Sequence, residues 1–266
     1  MNKQKISFAL GLGADVLILA AAALQTAAIL TAFDRGTNYF SSSSPLPLAA
    51  ALCALIGGAL GVCASFLADK QLLRSSPFGA SFSSLPAAVG FLLCGVCVLF
   101  SAAGSPLGLL SGIFLLLSAL YSLATAFFAH DEVQKRNIAP LGAAPVLACA
   151  LLNAYFYFDV TVEMNAPVKV TVQTALLFAM LYYTGELRFL LGRAMPRLYL
   201  SLAFGTLASA ALCAIAFPLS FAIGLTDRLD YAGAALMMWL ISVALTQRPS
   251  SGMGAGPWLG PREMGH

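Results

Sequence analysis

Residues 106–129 read PLGLLSGIFLLLSALYSLATAFFA, twenty-four consecutive positions without a charge. An α-helix rises about 1.5 Å per residue, so this stretch alone spans about 36 Å, more than the ~30 Å hydrocarbon core of a bilayer. Seven further apolar runs lie between polar breaks, at residues 8–33, 46–68, 85–103, 139–158, 167–187, 198–224 and 230–247. Over all 266 residues 60% are hydrophobic and 9% charged, and the mean hydropathy is +0.87. That composition excludes a soluble globular domain, because too few polar side chains remain to cover a water-facing surface. The chain therefore reads as an all-α, polytopic helical membrane protein of about eight transmembrane helices. Residues 1–247 form one helical bundle domain, and residues 248–266, rich in Gly and Pro and without periodicity, form a disordered cytoplasmic tail.

Orientation follows from the basic residues, which are retained on the cytoplasmic side during insertion. With eight crossings and both termini inside, Lys3, Lys5, Lys70, Arg74, Lys135, Arg136, Arg188, Arg193, Arg197, Arg248 and Arg262 fall inside, eleven of fourteen. Only Arg35, Lys169 and Arg228 fall outside, where Asp34, Asp159, Glu163, Asp227 and Asp230 also lie. Miscounting one helix would scatter this bias. The expected location is the cell membrane, with N- and C-termini cytoplasmic. The first apolar run is too long for a signal peptide and contains Asp15, so it reads as an uncleaved helix.

Lipid gives helices no hydrophobic reason to associate, so close packing relies on small residues. Cys53, Gly57, Gly61 and Ser65 recur at four-residue steps in the second run, as do Ser201, Gly205, Ser209 and Cys213 in the seventh. Gly108 and Gly112 add a shorter pair. Such stripes mark faces within one chain or between two. Pro218 should kink the seventh helix late in its span. Tyr155 to Phe158 and Tyr182, Tyr183 and Tyr199 are placed to form aromatic belts at the two interfaces. Residues 72–77 and 190–196 share an Arg three residues before a Pro after a Leu pair, a weak sign of a four-plus-four duplication. All six cysteines lie in apolar runs and read as free thiols, the Cys94–Cys97 CxxC included.

Few residues carry chemistry. Asp15 is the one carboxylate well inside an apolar run, where an Asp at a helix centre costs about 2.5–3.5 kcal/mol. It is either a ligand-binding group within the membrane or an interfacial residue behind a short amphipathic lead-in. Asn153, Tyr157 and Gln173 join it as candidate ligand-binding residues. They line a polar cavity or act as hydrogen-bonding glue between helices. The segment from Asp159 to Asn165 alternates polar and apolar residues and reads as a short strand-like loop, without the Gly and bidentate Glu of a calcium loop. Gly185 to Arg193, followed by Arg197, sets Arg188, Arg193 and Arg197 among apolar residues at the inner boundary. These are candidates for contact with anionic lipid headgroups, and Glu186 and Arg193 are spaced to share a helix face.

Phe158 to Pro167 together with Gly185 to Arg197 resembles a pattern in uncharacterised multi-pass membrane proteins of clostridial-type Gram-positive bacteria. The resemblance covers about the middle third of the chain and implies the membrane class without any activity. His130 and His266 are the two histidines, no Lys lies mid-span, and GxSxG, HExxH and Walker motifs do not occur. No catalytic residue, metal or cofactor is expected, and the chain is not read as an enzyme. The expected partners are the lipid bilayer, anionic headgroups and a homo- or hetero-oligomer, with no nucleic acid. The reading that follows is a non-catalytic binding, sensing or membrane-subunit protein, with transport of a small or amphipathic solute as the alternative.

Overall fold

α1 (Lys3–Ala32) is one unbroken helix of 30 residues. It runs into a two-stranded antiparallel ribbon, β1 (Phe33–Asp34) and β2 (Tyr39–Phe40), closed by an edge-to-face contact between the Phe33 and Phe40 rings. The ribbon turns the chain into α2 (Leu46–Leu67). A 3₁₀ turn, Phe82–Ser84, leads into α3 (Leu85–Ser101) and α4 (Pro106–Phe128). α5 (Ala143–Phe158), α6 (Pro167–Leu190), α7 (Pro196–Ala211), α8 (Ala216–Ala222) and α9 (Leu229–Gln247) follow. A proline in the first turn of α2, α3, α4, α6 and α7 supplies a pre-set φ where no N–H is needed.

This computed structural model describes residues 3–34, 37, 39–68, 82–102, 104–128, 137–193, 195–224 and 227–247, and within them the chain is all-α apart from the ribbon. Arg35, Lys70, Arg74, Lys135, Arg136, Arg248 and Arg262, the repeat-like segment 72–77 and the tail 248–266 lie outside the described residues. Five apolar stretches are long enough to cross a membrane: Lys5–Ala32, Leu46–Leu67, Pro106–Phe127, Pro196–Ala222 and Leu229–Thr246. α3 and α5 are shorter apolar helices, and α6 carries charges near both ends.

The helices form a closed circuit in which α1 packs on α2, α2 on α7, α7 on α6, α6 on α5, α5 on α4, α4 on α3 and α3 on α9. α9 completes it by packing against α8, α7 and α6. Burial follows this plan: 67% of the α7–α8 window and 61% of the α9 window are buried, against 22% for α1 and for α2. The bundle is therefore centred on α7 and α9, with the α1–α2 hairpin on its flank. Among the described residues the two halves differ in packing, because α6 lies along α7 whereas α2 packs on α1 and α7 and α3 on α4 and α9.

The small-residue stripes meet helices of the same chain. Gly57 lies against Ala14, Leu17 and Ile18 of α1, while Gly61 faces the Phe204 ring and Gly58 faces Ala208, both on α7. Ser65 and Ser201 join their hydroxyls at 2.6 Å, and Gly205 admits the Phe178 ring of α6. Gly112 accommodates Leu99, and Gly108 accommodates Ala102 and Tyr155.

Three local expectations are corrected. The break in the seventh run falls at residues 212–215, ahead of Pro218, so one expected span becomes α7 and α8. Pro218 has no N–H for the Ala214 carbonyl and its ring crowds that oxygen, which places the disruption one turn upstream. The aromatic belts are partial: Tyr157 and Phe158 are exposed, but Phe156, Tyr182 and Tyr183 are buried. Their rings pack inward, Phe156 stacked on Tyr231 at 4.1 Å and Tyr182 bonded through its hydroxyl to that of Tyr199 at 2.5 Å. Finally, residues 159–166 form turns and not a strand. The Asp159 carboxylate accepts from the Thr161 N–H at 3.0 Å, an Asx turn that breaks the alternation.

Candidate functional site

A cavity of about 410 Å³ opens on the flank of the bundle between α1, the α7–α8 break and α9. One turn of α1 supplies Asp15, Ile18, Leu19 and Ala22. Leu207 and Ala211 come from α7, and Ala214 and Ile215 from the break itself. α9 closes the far wall with Trp239, Ser242, Val243 and Thr246 at three- and four-residue steps, one face of a helix. Leu19, Ile215, Trp239 and Thr246 line the cavity and are also exposed, so it opens on the surface of the bundle. The irregular backbone at residues 212–215 lines this cavity through Ala214 and Ile215.

Asp15 sits ten residues into the stretch that begins at Lys5, about 15 Å along the helix axis. α1 is continuous from Lys3 through Asp15, so the residues ahead of Asp15 belong to the same helix. The helix is anchored one turn from its start by Ser7, whose hydroxyl donates to the Ala64 carbonyl of α2 at 2.8 Å.

The other candidate ligand-binding residues lie elsewhere. Asn153 and Gln173 face each other across α5 and α6, and each side-chain amide donates to the other residue's carbonyl, at 3.2 and 3.4 Å. Tyr157 is exposed and packs edge-on against Phe158. The structure thus brings Asn153 and Gln173 together and keeps both apart from Asp15, which alone of the four lines the cavity.

At the opposite end of α6 from Asn153's partner, Arg188 lies in the last helical turn. The helix closes in a Schellman motif: Gly192 adopts φ +71° and donates to the Phe189 carbonyl, and the Arg193 N–H reaches back to the Arg188 carbonyl at 2.8 Å. Arg193 therefore lies past the helix, and the expected shared face with Glu186 does not form. Glu186 instead is fully buried and accepts from the Tyr121 hydroxyl of α4 at 3.1 Å. Arg197 opens α7, and the Nε atoms of Arg188 and Arg197 are sealed from solvent without a hydrogen-bond partner.

The densest polar cluster was not foreseen from the sequence. It joins the α5–α6 turn to the start of α9. The Arg228 guanidinium bridges Asp159, at 2.5 Å, and Asp230, at 3.0 Å, and also donates to the Thr161 hydroxyl. Tyr231 donates to Asp159 at 3.3 Å and Tyr155 to Asp230 at 3.2 Å, while the Arg228 guanidinium lies 5.0 Å from the Tyr231 ring centre. Lys169, only 1% exposed, donates to the carbonyls of Asp159 and Val162. Burial works against the Asp159 charge, but hydrogen bonds from Thr161 and Arg228 outweigh it and hold the carboxyl below the usual carboxylate range. Burial likewise opposes the Arg228 charge, and hydrogen bonds to Asp230 and Asp159 raise its affinity for the proton above the usual value. Every strong donor and acceptor in this cluster is taken by a neighbour, which makes it a structural clasp. Its signal in the sequence was the Asp227-Arg228-Leu229-Asp230-Tyr231 run at the start of the last apolar stretch.

Among the described residues no three His, Cys, Asp or Glu side chains gather as a metal site. Compared with known proteins, the chain matches no protein-family model, no curated protein and no solved structure.

Proposed function

We propose that the chain is a cell-membrane protein with eight crossings and cytoplasmic termini, and that it acts without catalysis, binding a small or amphipathic molecule that enters sideways from the bilayer. Such a module serves as a sensor or as the membrane subunit of a larger assembly. The observation that carries this reading is the flank cavity, with one carboxylate set among largely apolar walls.

Support for the topology comes from which helix ends meet. Tyr39 donates to Glu163, Arg228 pairs with Asp159, and Tyr155 reaches Asp230, which collects the β-ribbon, the α5–α6 turn and the start of α9 at one end. Ser7 with Ala64, Ser65 with Ser201 and Tyr121 with Glu186 bring the start of α1, the end of α2, the start of α7 and the later turns of α4 and α6 toward the other. Lys5, Arg188, Arg193 and Arg197 lie at this second end, which the charge rule makes cytoplasmic. At 17 and 16 residues, α3 and α5 cover about 25 Å each, and adjoining turns extend them. Transport would need Asp15, Asn153, Tyr157 and Gln173 around one pathway. Asn153 and Gln173 satisfy each other and Tyr157 is on the surface, which favours binding.

Native mass spectrometry of the protein in nanodiscs tests this reading. A stoichiometric small-molecule adduct is expected on the wild type and absent from Asp15→Asn. A protein carrying only bulk lipid in both forms would overturn it.

A further inference from the structure

We infer that the flank cavity selects a cationic amphiphile, an amine or quaternary ammonium carried on an apolar body, an assignment that rests on the binding reading above. Asp15 has no hydrogen bond or ion pair among the described residues and presents a carboxylate to the cavity. The Ser242 hydroxyl donates to the Met238 carbonyl at 2.8 Å and the Thr246 hydroxyl to the Val243 carbonyl at 2.9 Å. Both protons are thus committed to α9, and the two oxygens keep only acceptor lone pairs for a guest. Among the described residues no Lys, Arg or His lines the cavity, and the one lining side chain with a free donor is Trp239. An anionic head would meet a carboxylate and almost no donor. A cation would meet the carboxylate, two hydroxyl oxygens and the Trp239 indole, and attraction between opposite charges is strongest where water is excluded. Leu19, Ile18, Leu207 and Ile215 then receive the apolar body, and the mouth on the bundle surface admits it from the bilayer, where such molecules concentrate.

The chain holds two tryptophans, so Trp258→Phe leaves Trp239 as a single fluorescent reporter inside the cavity. In phosphatidylcholine nanodiscs this protein is titrated with tetraphenylphosphonium and with tetraphenylborate, ions of one size and opposite charge. The expected result is saturable quenching of Trp239 by the phosphonium, at least tenfold weaker in Asp15→Asn and lost in Ala211→Leu, with no saturable response to the borate. Saturable binding of both ions, unaffected by Asp15→Asn but lost in Ala211→Leu, would overturn the charge selectivity while leaving the cavity as a binding site. No saturable binding of either ion would overturn both.

Discussion

Asp159 accepts from the Thr161 backbone and hydroxyl, from Arg228 and from Tyr231, so one carboxylate ties the α5–α6 turn to α9. Removing one partner of a partly buried ion pair leaves the other poorly solvated, so Asp159→Asn should lower stability by about 1–3 kcal/mol, read as earlier thermal unfolding in detergent or nanodiscs. The same residue sets a pH dependence. Its carboxyl titrates below the usual carboxylate value in the folded chain, so its stabilisation is complete above that usual value and is lost as pH falls through the lower, folded one. The acid limb of stability should therefore steepen below about pH 4 in the wild type and flatten in Asp159→Asn. Glu186 shows the opposite relation to sequence. Read as part of an interfacial segment, it is fully buried because α6 continues to Leu190 and turns it toward Tyr121. Nothing in local composition distinguishes those two fates, since helix phase decides which neighbour the side chain meets.

At the scale of elements, the glycines of α2 set the distance to its neighbours. A Cβ at Gly61 would lie 2.2 Å from the Phe204 ring, which is buried and cannot swing clear. Gly61→Ala should cost about 1–3 kcal/mol through overpacking, and Phe204→Leu in the same chain should restore part of it, a coupling measurable by a double-mutant cycle. The end of α6 depends on a different property of glycine. Gly192 stands at φ +71° with open space where a Cβ would go, so Gly192→Ala acts through backbone strain alone and should cost about 1 kcal/mol. The helices themselves were legible as apolar runs, and their ends agree with the structure to within a few residues at most sites. The seventh was not legible as two helices, because a proline announces a break without saying how the chain around it will rearrange.

For the whole molecule, the proposed topology predicts labelling. In a cysteine-free background, cysteines at Ser43 and Thr161 should react with an impermeant maleimide from outside intact cells, and one at Arg193 only after permeabilisation. Reaction of Ser43 and Thr161 from opposite sides would refute the eight-crossing count. The structure places both near the same end, where Tyr39 donates to Glu163 at 2.7 Å.

Composition by itself determined that this chain is a bundle of apolar helices, several of them long enough to cross a membrane, because hydrocarbon demands long apolar helices. The small-residue stripes also stood in the sequence, as a rule about how closely backbones can approach. Tertiary structure alone decided which helices those stripes join, that Asn153 and Gln173 satisfy each other, and that Asp15 faces a cavity on the flank. Each depends on the rotation and neighbour of a whole helix, and these are fixed by packing among distant segments that local periodicity does not encode. The cavity itself arises where Pro218 denies the Ala214 carbonyl its donor and the interrupted helix leaves space between α1 and α9.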